Sequence, residues 1–340
     1  MRTTPWSAPA RFVLAGICAL SLAACSSDTP SSPVTNAAAS APQTFAVTSA
    51  SVSSASTASV RTTKLFYTIP ILESKQSSMS RRGLRETITQ SPFDMTNHGG
   101  PVVTHATNWN VYVNCPQGAA ACWGTGNLTP ATFLRDFDRS SMIEVMGQYL
   151  NEDPTGRFHQ VNELATTMSF PIDSADGTPT ASLQNIFQIV FAAASFTKKS
   201  GYDQIYHIFL PKGTDMCQAP GVCYSPDNLP TEIFCAFHGS VDFGPNFHVL
   251  YSVEPYQFVP GICPTPNQTR VIDATASTLS HEFSETISDP DGDAWFNNLT
   301  ESEIGDLCFV FRNPEQVGVH QYVIQEEYSN TVNACTDGAF

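Results

Sequence analysis

Apolar positions change their period several times along this chain, and each change predicts an element. Short runs rich in β-branched and aromatic residues at 102–104 and 109–113 predict strands. Thr129 and Pro130 then pair an N-cap with a first-turn proline. Phe133, Phe137, Ile143, Met146 and Leu150 follow as inward positions, so a helix is expected from there to about residue 150. Leu183, Ile186, Ile189 and Val190 predict a second helix over about 179–195. Residues 204–210, 233–237 and 247–253 are again β-branched and aromatic, and a third helical pattern runs from about 269 to 287. Helices interspersed with strands over 99–340 predict an α/β or α+β domain with a mixed sheet and packed helices.

The first 98 residues read differently. Arg2 and Arg11 precede an apolar run over 12–24, too short for a resident membrane helix and suited to a signal-peptide core. It ends in Leu22-Ala23-Ala24-Cys25, which resembles the bacterial lipobox, so 1–24 are expected to be removed and Cys25 lipidated. Residues 26–63 are mostly Ser, Thr, Ala, Pro and Val and bury too little to order themselves. With the stretch 64–98, where 65–69 could be a strand, they form an expected tether and leader over 25–98. The expected location is the cell envelope, lipid-anchored and extracytoplasmic. Ser26 lacks the aspartate associated with inner-membrane retention, which points to the outer membrane in a diderm host.

Composition narrows the partners. Sixteen basic against thirty-one acidic residues give a net charge of −15, so recognition of nucleic acid by charge is excluded. Of ten cysteines, eight remain once Cys18 is cleaved off and Cys25 is lipidated, and export makes disulfides the expected state. Cys115 with Cys122 and Cys217 with Cys223 would close the shortest loops. Cys235, Cys263, Cys308 and Cys335 remain for longer closures, with Cys308 to Cys335 expected. No CxxC spacing supports a zinc ribbon.

The densest chemistry is His281-Glu282-Phe283-Ser284-Glu285. On a helix His281 and Glu285 lie about 40° apart with Glu282 beside them, while Leu279, Phe283 and Ile287 form the opposite apolar face. One face would anchor a zincin-like helix, and the other would present an imidazole and two carboxylates to a cleft. The pattern is HExxH with the second histidine replaced by glutamate, which is an acceptable zinc ligand. Glu282 would be the general base. A catalytic zinc needs a third protein ligand, for which Asp289, Asp291, Glu303 and Asp306 are candidates. Glu303 lies near the interval of the gluzincin glutamate, and Asp306 follows one helical turn later. His238 could be a ligand or a hydrogen-bond donor to the transition state. Asp289, Asp291 and Asp293 alternate as in a calcium loop, but Ala294 and Thr300 stand where an EF-hand needs Gly and Glu, leaving only a looser calcium site. No GxSxG elbow or glycine-rich phosphate loop occurs, and His105, His159, His207, His248 and His320 read as structural or surface residues.

Around this motif a spaced series appears: Phe234-Cys235-Ala236-Phe237-His238-Gly239, then Asp289-Pro290, Ala294-Trp295-Phe296, Glu303-Ile304-Gly305-Asp306-Leu307-Cys308, and Tyr328-Ser329-Asn330 with Cys335. Over residues 99–340 it resembles the phosphate-induced protein 1 (EXORDIUM-like) family. The resemblance implies an extracellular protein, a cell-wall growth factor in plants and a secreted metallopeptidase-like protein in microbes. The expected function is hydrolysis of peptide bonds at a zinc ion held by His281, Glu285 and either Glu303 or Asp306. Two carboxylate ligands make that ion a weaker Lewis acid than two histidines would. The alternative is a non-catalytic module that binds a peptide or cell-wall component, with Trp295, Phe296 and Tyr328 as binding aromatics.

Overall fold

Alternation within the strands decides which side chains meet the helices. The computed structural model describes residues 41–67, 91–124, 126–150, 156–225, 233–257, 263, 270–308 and 311–338, all within the compact unit Ala39–Phe340. Residues 1–24, the expected signal peptide, and Cys25 lie outside the described residues. The central sheet has seven strands: β1 (Gln43–Thr44), β2 (Ser59–Tyr67), β4 (His105–Val113), β5 (Arg157–Thr166), β7 (Gln204–Phe209), β10 (Phe234–Asp242) and β11 (His248–Glu254). Their order is β1-β5-β4-β7-β11-β10-β2, parallel as far as β11 and antiparallel over the last two pairs. Helices α1 (Ser49–Ser56) and α5 (Leu183–Thr197) cover one face. Helices α3 (Pro130–Phe137), α4 (Met142–Gly147) and α6 (Val271–Ser288) cover the other, and a short α2 spans Ala119–Cys122. This is a mixed α/β fold.

The period of two is followed closely. Val111, Tyr206, Ile208, Val249, Tyr251 and Val253 point to the α5 side, while Tyr112, Ile205, Phe209 and Leu250 point to the α6 side. The α6 side also receives a polar row, because the register sets His238 opposite Ser252, Ser252 opposite His207 and His207 opposite Asn110. All four are fully buried. Leu279, Phe283 and Ile287 of α6 are fully buried too, each contributing about 1.5–3 kcal/mol, which holds the helix across this row. Small sheets surround the core: β3 (Met95–Asn97) with β12 (Trp295–Asn297), β13 (Phe311–Val317) with β14 (His320–Gln325), β15 (Glu327–Ser329) with β16 (Ala334–Thr336), and β6 (Thr180–Ser182) with β8 (Asp215–Ala219) and β9 (Val222–Tyr224).

Three expectations change. The run at 102–104 is not a strand; its neighbour Met95–Asn97 is. The helix expected from Thr129 to 150 starts as foreseen, with Thr129 accepting from the Thr132 amide at 3.2 Å, but breaks after Phe137. There Ser140 bonds the Phe137 carbonyl and Asp138 accepts from the Phe158 amide of β5, so side chains take over the backbone's bonding. Within the expected tether, 43–67 form β1, α1 and β2, with Ala55 in the α5-side core and β2 paired to β10. A Ser/Thr-rich edge strand needs only a partner strand, which local composition does not reveal.

All four disulfides are present: Cys115–Cys122, Cys217–Cys223, Cys235–Cys263 and Cys308–Cys335. No described helix is long and apolar enough to cross a membrane.

Candidate metal centre

Helix α6 supplies His281, Glu282 and Glu285, β10 supplies His238, and the turn before Cys308 supplies Glu303 and Asp306. The structure brings all six together. His281 Nε2 lies 3.2 Å from Glu285 Oε2 and 3.8 Å from Asp306 Oδ1. His238 Nδ1 lies 3.1 Å from Glu282 Oε2 and 3.6 Å from Glu285 Oε2, while its Nε2 faces Glu303 Oε1 at 3.6 Å. Two triads result, His281–Glu285–Asp306 and His238–Glu282–Glu285, each with ligand atoms within 4.8 Å of one another. Of the candidates for a third ligand beside His281 and Glu285, Asp306 is the one in their triad, and Glu303 borders His238.

The centre is not an open cleft. His238, His281, Glu282, Glu285 and Glu303 are all buried, and only Asp306 is exposed. The tail closes over the polar face of α6: Gln325 of β14 places its amide 3.0 Å from His281 Nδ1 and donates to the Gly305 carbonyl at 2.7 Å. The Asp306 amide donates to Glu285 Oε1 at 3.2 Å, and the Cys308–Cys335 bridge fastens the turn to β16.

Sequence reasoning missed Gln325, Glu327 and Glu254. Glu327 is fully buried, and neither of its carboxylate oxygens accepts a hydrogen bond from the described residues. Burial, then the charges of Glu285, Asp306 and Glu326, push it well above the usual carboxylate range. The available signal was an acidic pair, Glu326-Glu327, amid apolar residues directly before Tyr328-Ser329-Asn330. Glu254, at the end of β11, accepts from Ser252 at 3.1 Å and Thr278 at 3.0 Å, and burial raises it to about 7. Ser252 also meets His207 Nδ1 at 2.9 Å; burial alone lowers that imidazole to about 3, so it stays neutral as part of the sheet.

Electrostatics at the centre favour a cation. Burial, followed by Glu285, Glu254, Asp306 and Glu303, pushes Glu282 well above the carboxylate range, and its Oε1 accepts no hydrogen bond from the described residues. Burial works against the charged form of His281, but Glu285, Asp306 and Glu254 raise it on balance. Imidazole nitrogen with several carboxylate oxygens suits a divalent first-row ion.

The other expected residues lie apart. Asp289 Oδ1 caps the Ala294 amide at 2.7 Å. Asp291 accepts from Tyr202 at 2.5 Å and Ser240 at 2.6 Å. Asp289, Asp291 and Asp293 form no ligand group among the described residues, so the calcium-loop expectation gains no geometry. Tyr328 is buried with its hydroxyl on Asp94 at 3.1 Å, Trp295 packs edge-on to Tyr149, and Phe296 stacks on His98. No family model, no curated protein and no solved structure matches the chain.

Proposed function

We propose that this protein is a metal-dependent hydrolase, zinc metallopeptidase-like, whose ion is held by His281, Glu285 and Asp306. The observation that supports the reading is the convergence of that triad with Glu282 and His238 at one buried point. A zinc ion bound there would supply Lewis acidity toward a carbonyl and toward water. The chain's own groups do the rest. Glu282 is the proton carrier: its Oε1 accepts no hydrogen bond from the described residues, and burial raises its proton affinity, as an acid–base role requires. His238 holds the other oxygen, Oε2, at 3.1 Å and so orients the carboxylate. Gln325 fixes the His281 ring with its Nε2 edge toward Glu285. Asp306, exposed, marks the side from which a substrate enters.

The burial of His238, His281, Glu282 and Glu303 favours a second reading, in which an ion pins the 303–308 turn to α6 in a non-catalytic surface module that binds a peptide or cell-wall component. One set of variants of the full chain separates the two. Under the hydrolase reading Glu282→Gln keeps the ion of the His281 triad but lowers turnover of a peptide library by about 10²-fold or more. His281→Ala loses that ion. An ion-bearing wild type without turnover, unchanged by Glu282→Gln, overturns the hydrolase and leaves the second reading.

The same proposal places the protein in the cell envelope, anchored through a lipid on Cys25. Leu22-Ala23-Ala24-Cys25 and the four disulfides support it, and the resemblance to the EXORDIUM-like family agrees.

A further inference from the structure

The two histidines of the centre fall in different triads, and the triads share only Glu285. The geometry points to a second divalent cation, held by His238, Glu282 and Glu285 beside the one on His281, Glu285 and Asp306. This rests on the metal-dependent reading above and extends it from one ion to two: His238 Nδ1 and Glu282 Oε2, 3.1 Å apart, would share the second ion in place of their hydrogen bond, leaving Glu282 Oε1 as the proton carrier.

Glu285 Oε2 is the junction, 3.2 Å from His281 Nε2 and 3.6 Å from His238 Nδ1. A carboxylate within reach of two imidazoles from different elements can serve two ions at once, and paired divalent ions in hydrolytic sites lie about 3.5–4 Å apart. The His238 ring agrees. Its Nδ1 edge faces two carboxylates, and its Nε2 edge faces Glu303 Oε1 at 3.6 Å. An imidazole that ligates a metal through one nitrogen characteristically directs the other N–H to a carboxylate, which fixes tautomer and ring orientation. Glu303 then orients His238 and is not itself a ligand.

Charge supplies an independent argument. Glu254, Glu282, Glu285, Glu303 and Glu327 are all buried around the centre, with Asp306 at its rim. A buried carboxylate is held ionised only beside a compensating positive charge and otherwise stays protonated. One divalent ion offsets two such charges, and a second would let more of the group ionise. The fully buried oxygens Glu282 Oε1, Glu327 Oε1 and Glu327 Oε2 accept no hydrogen bond from the described residues, so no described hydrogen bond stabilises their ionised forms and a cation would. Each triad offers one nitrogen and two carboxylates, a set suited to Zn²⁺ or Mn²⁺ and too hard for Cu⁺.

The test is metal stoichiometry of the full chain, solubilised in detergent with its disulfides intact, loaded with Zn²⁺, desalted and analysed by mass spectrometry. The expected content is two equivalents per chain in the wild type. His238→Gln and Glu282→Gln should each hold one, and Glu285→Gln less than one because it serves both. Because a variant can lose metal by misfolding, the wild type also carries its own readout: loaded with Mn²⁺, it should give the electron paramagnetic resonance spectrum of an exchange-coupled pair. One equivalent in the wild type, with an isolated-ion Mn²⁺ spectrum, overturns the second site and leaves the hydrolase proposal standing. No bound metal at all overturns both.

Discussion

An ideal Cβ placed on Gly305 would lie 2.3 Å from His281 Nδ1, 2.6 Å from its Cε1 and 3.0 Å from Glu327 Oε2. No side chain fits there without turning the imidazole away from Gln325. Gly305→Ala should therefore destabilise the fold by about 1–3 kcal/mol through overpacking. It should also weaken zinc binding about 10- to 100-fold, because the ring loses the contact that orients it. Urea unfolding of the metal-free protein and zinc titration measure the two effects; unchanged zinc affinity would show that His281 is not held by this packing. The helix-borne residues of the centre were readable in the sequence because His281, Glu282 and Glu285 recur on one helical face. Glu327 was not: Glu327, Tyr328 and Ser329 are all buried, so β15 has no polar and apolar faces for alternation to distinguish.

Elements were legible where one period ran unbroken. Helix α6 begins and ends within two residues of expectation, and strands β7 and β11 follow their aromatic and β-branched runs, while β10 continues past its run at 233–237 to Asp242. The break between α3 and α4 depends on Asp138 meeting a strand twenty residues away, a contact outside any local window. What ties the end of α6 to the sheet is a polar cluster: His248 of β11 meets Asp242 at 2.9 Å and Asp291 at 3.3 Å, and Asp291 also holds Ser240 and Tyr202. Burial alone would lower His248, but its bonds to Asp291 and Asp242 raise it on balance. Burial alone would raise Asp291, but His248, Ser240 and Tyr202 hold it well below the usual range. A raised histidine stabilises fully below its unfolded value of about 6.5 and loses that contribution as pH rises through the folded value. A depressed carboxylate stabilises above about 3.9 and loses that contribution as pH falls through its folded value. The cluster thus contributes most between about pH 4 and 6.5. Urea midpoints of the wild type should fall as pH rises above that window, and His248→Gln should flatten the decline. Parallel curves for the two proteins would show that the cluster contributes nothing to pH dependence.

At the scale of the whole molecule, four bridges agree with the proposed export to an oxidising compartment. The pairs Cys235–Cys263 and Cys308–Cys335, separated by 28 and 27 residues, each remove roughly 3–4 kcal/mol of unfolded-chain entropy, so thiol reduction would leave the site turn unfastened. The class of fold could be read from alternating elements and the local bridges from spacing. The true start of the folded unit could not, because β1, α1 and β2 are composed like a linker and gain order only from their partners. The proposed anchor is a separate matter, resting on Cys25 and the residues before it. The full-length protein made in a bacterial host should fractionate with membranes and show no reactive thiol among residues 115–335. Cys25→Ser removes the acylation site, and with it roughly 0.8 kcal/mol for each buried CH₂ of the acyl chains. The variant should move to the soluble fraction with all four bridges kept and zinc content unchanged, because Cys25 is no part of the centre. Continued membrane association of Cys25→Ser would refute the lipid anchor, and free thiols in the wild type would refute export.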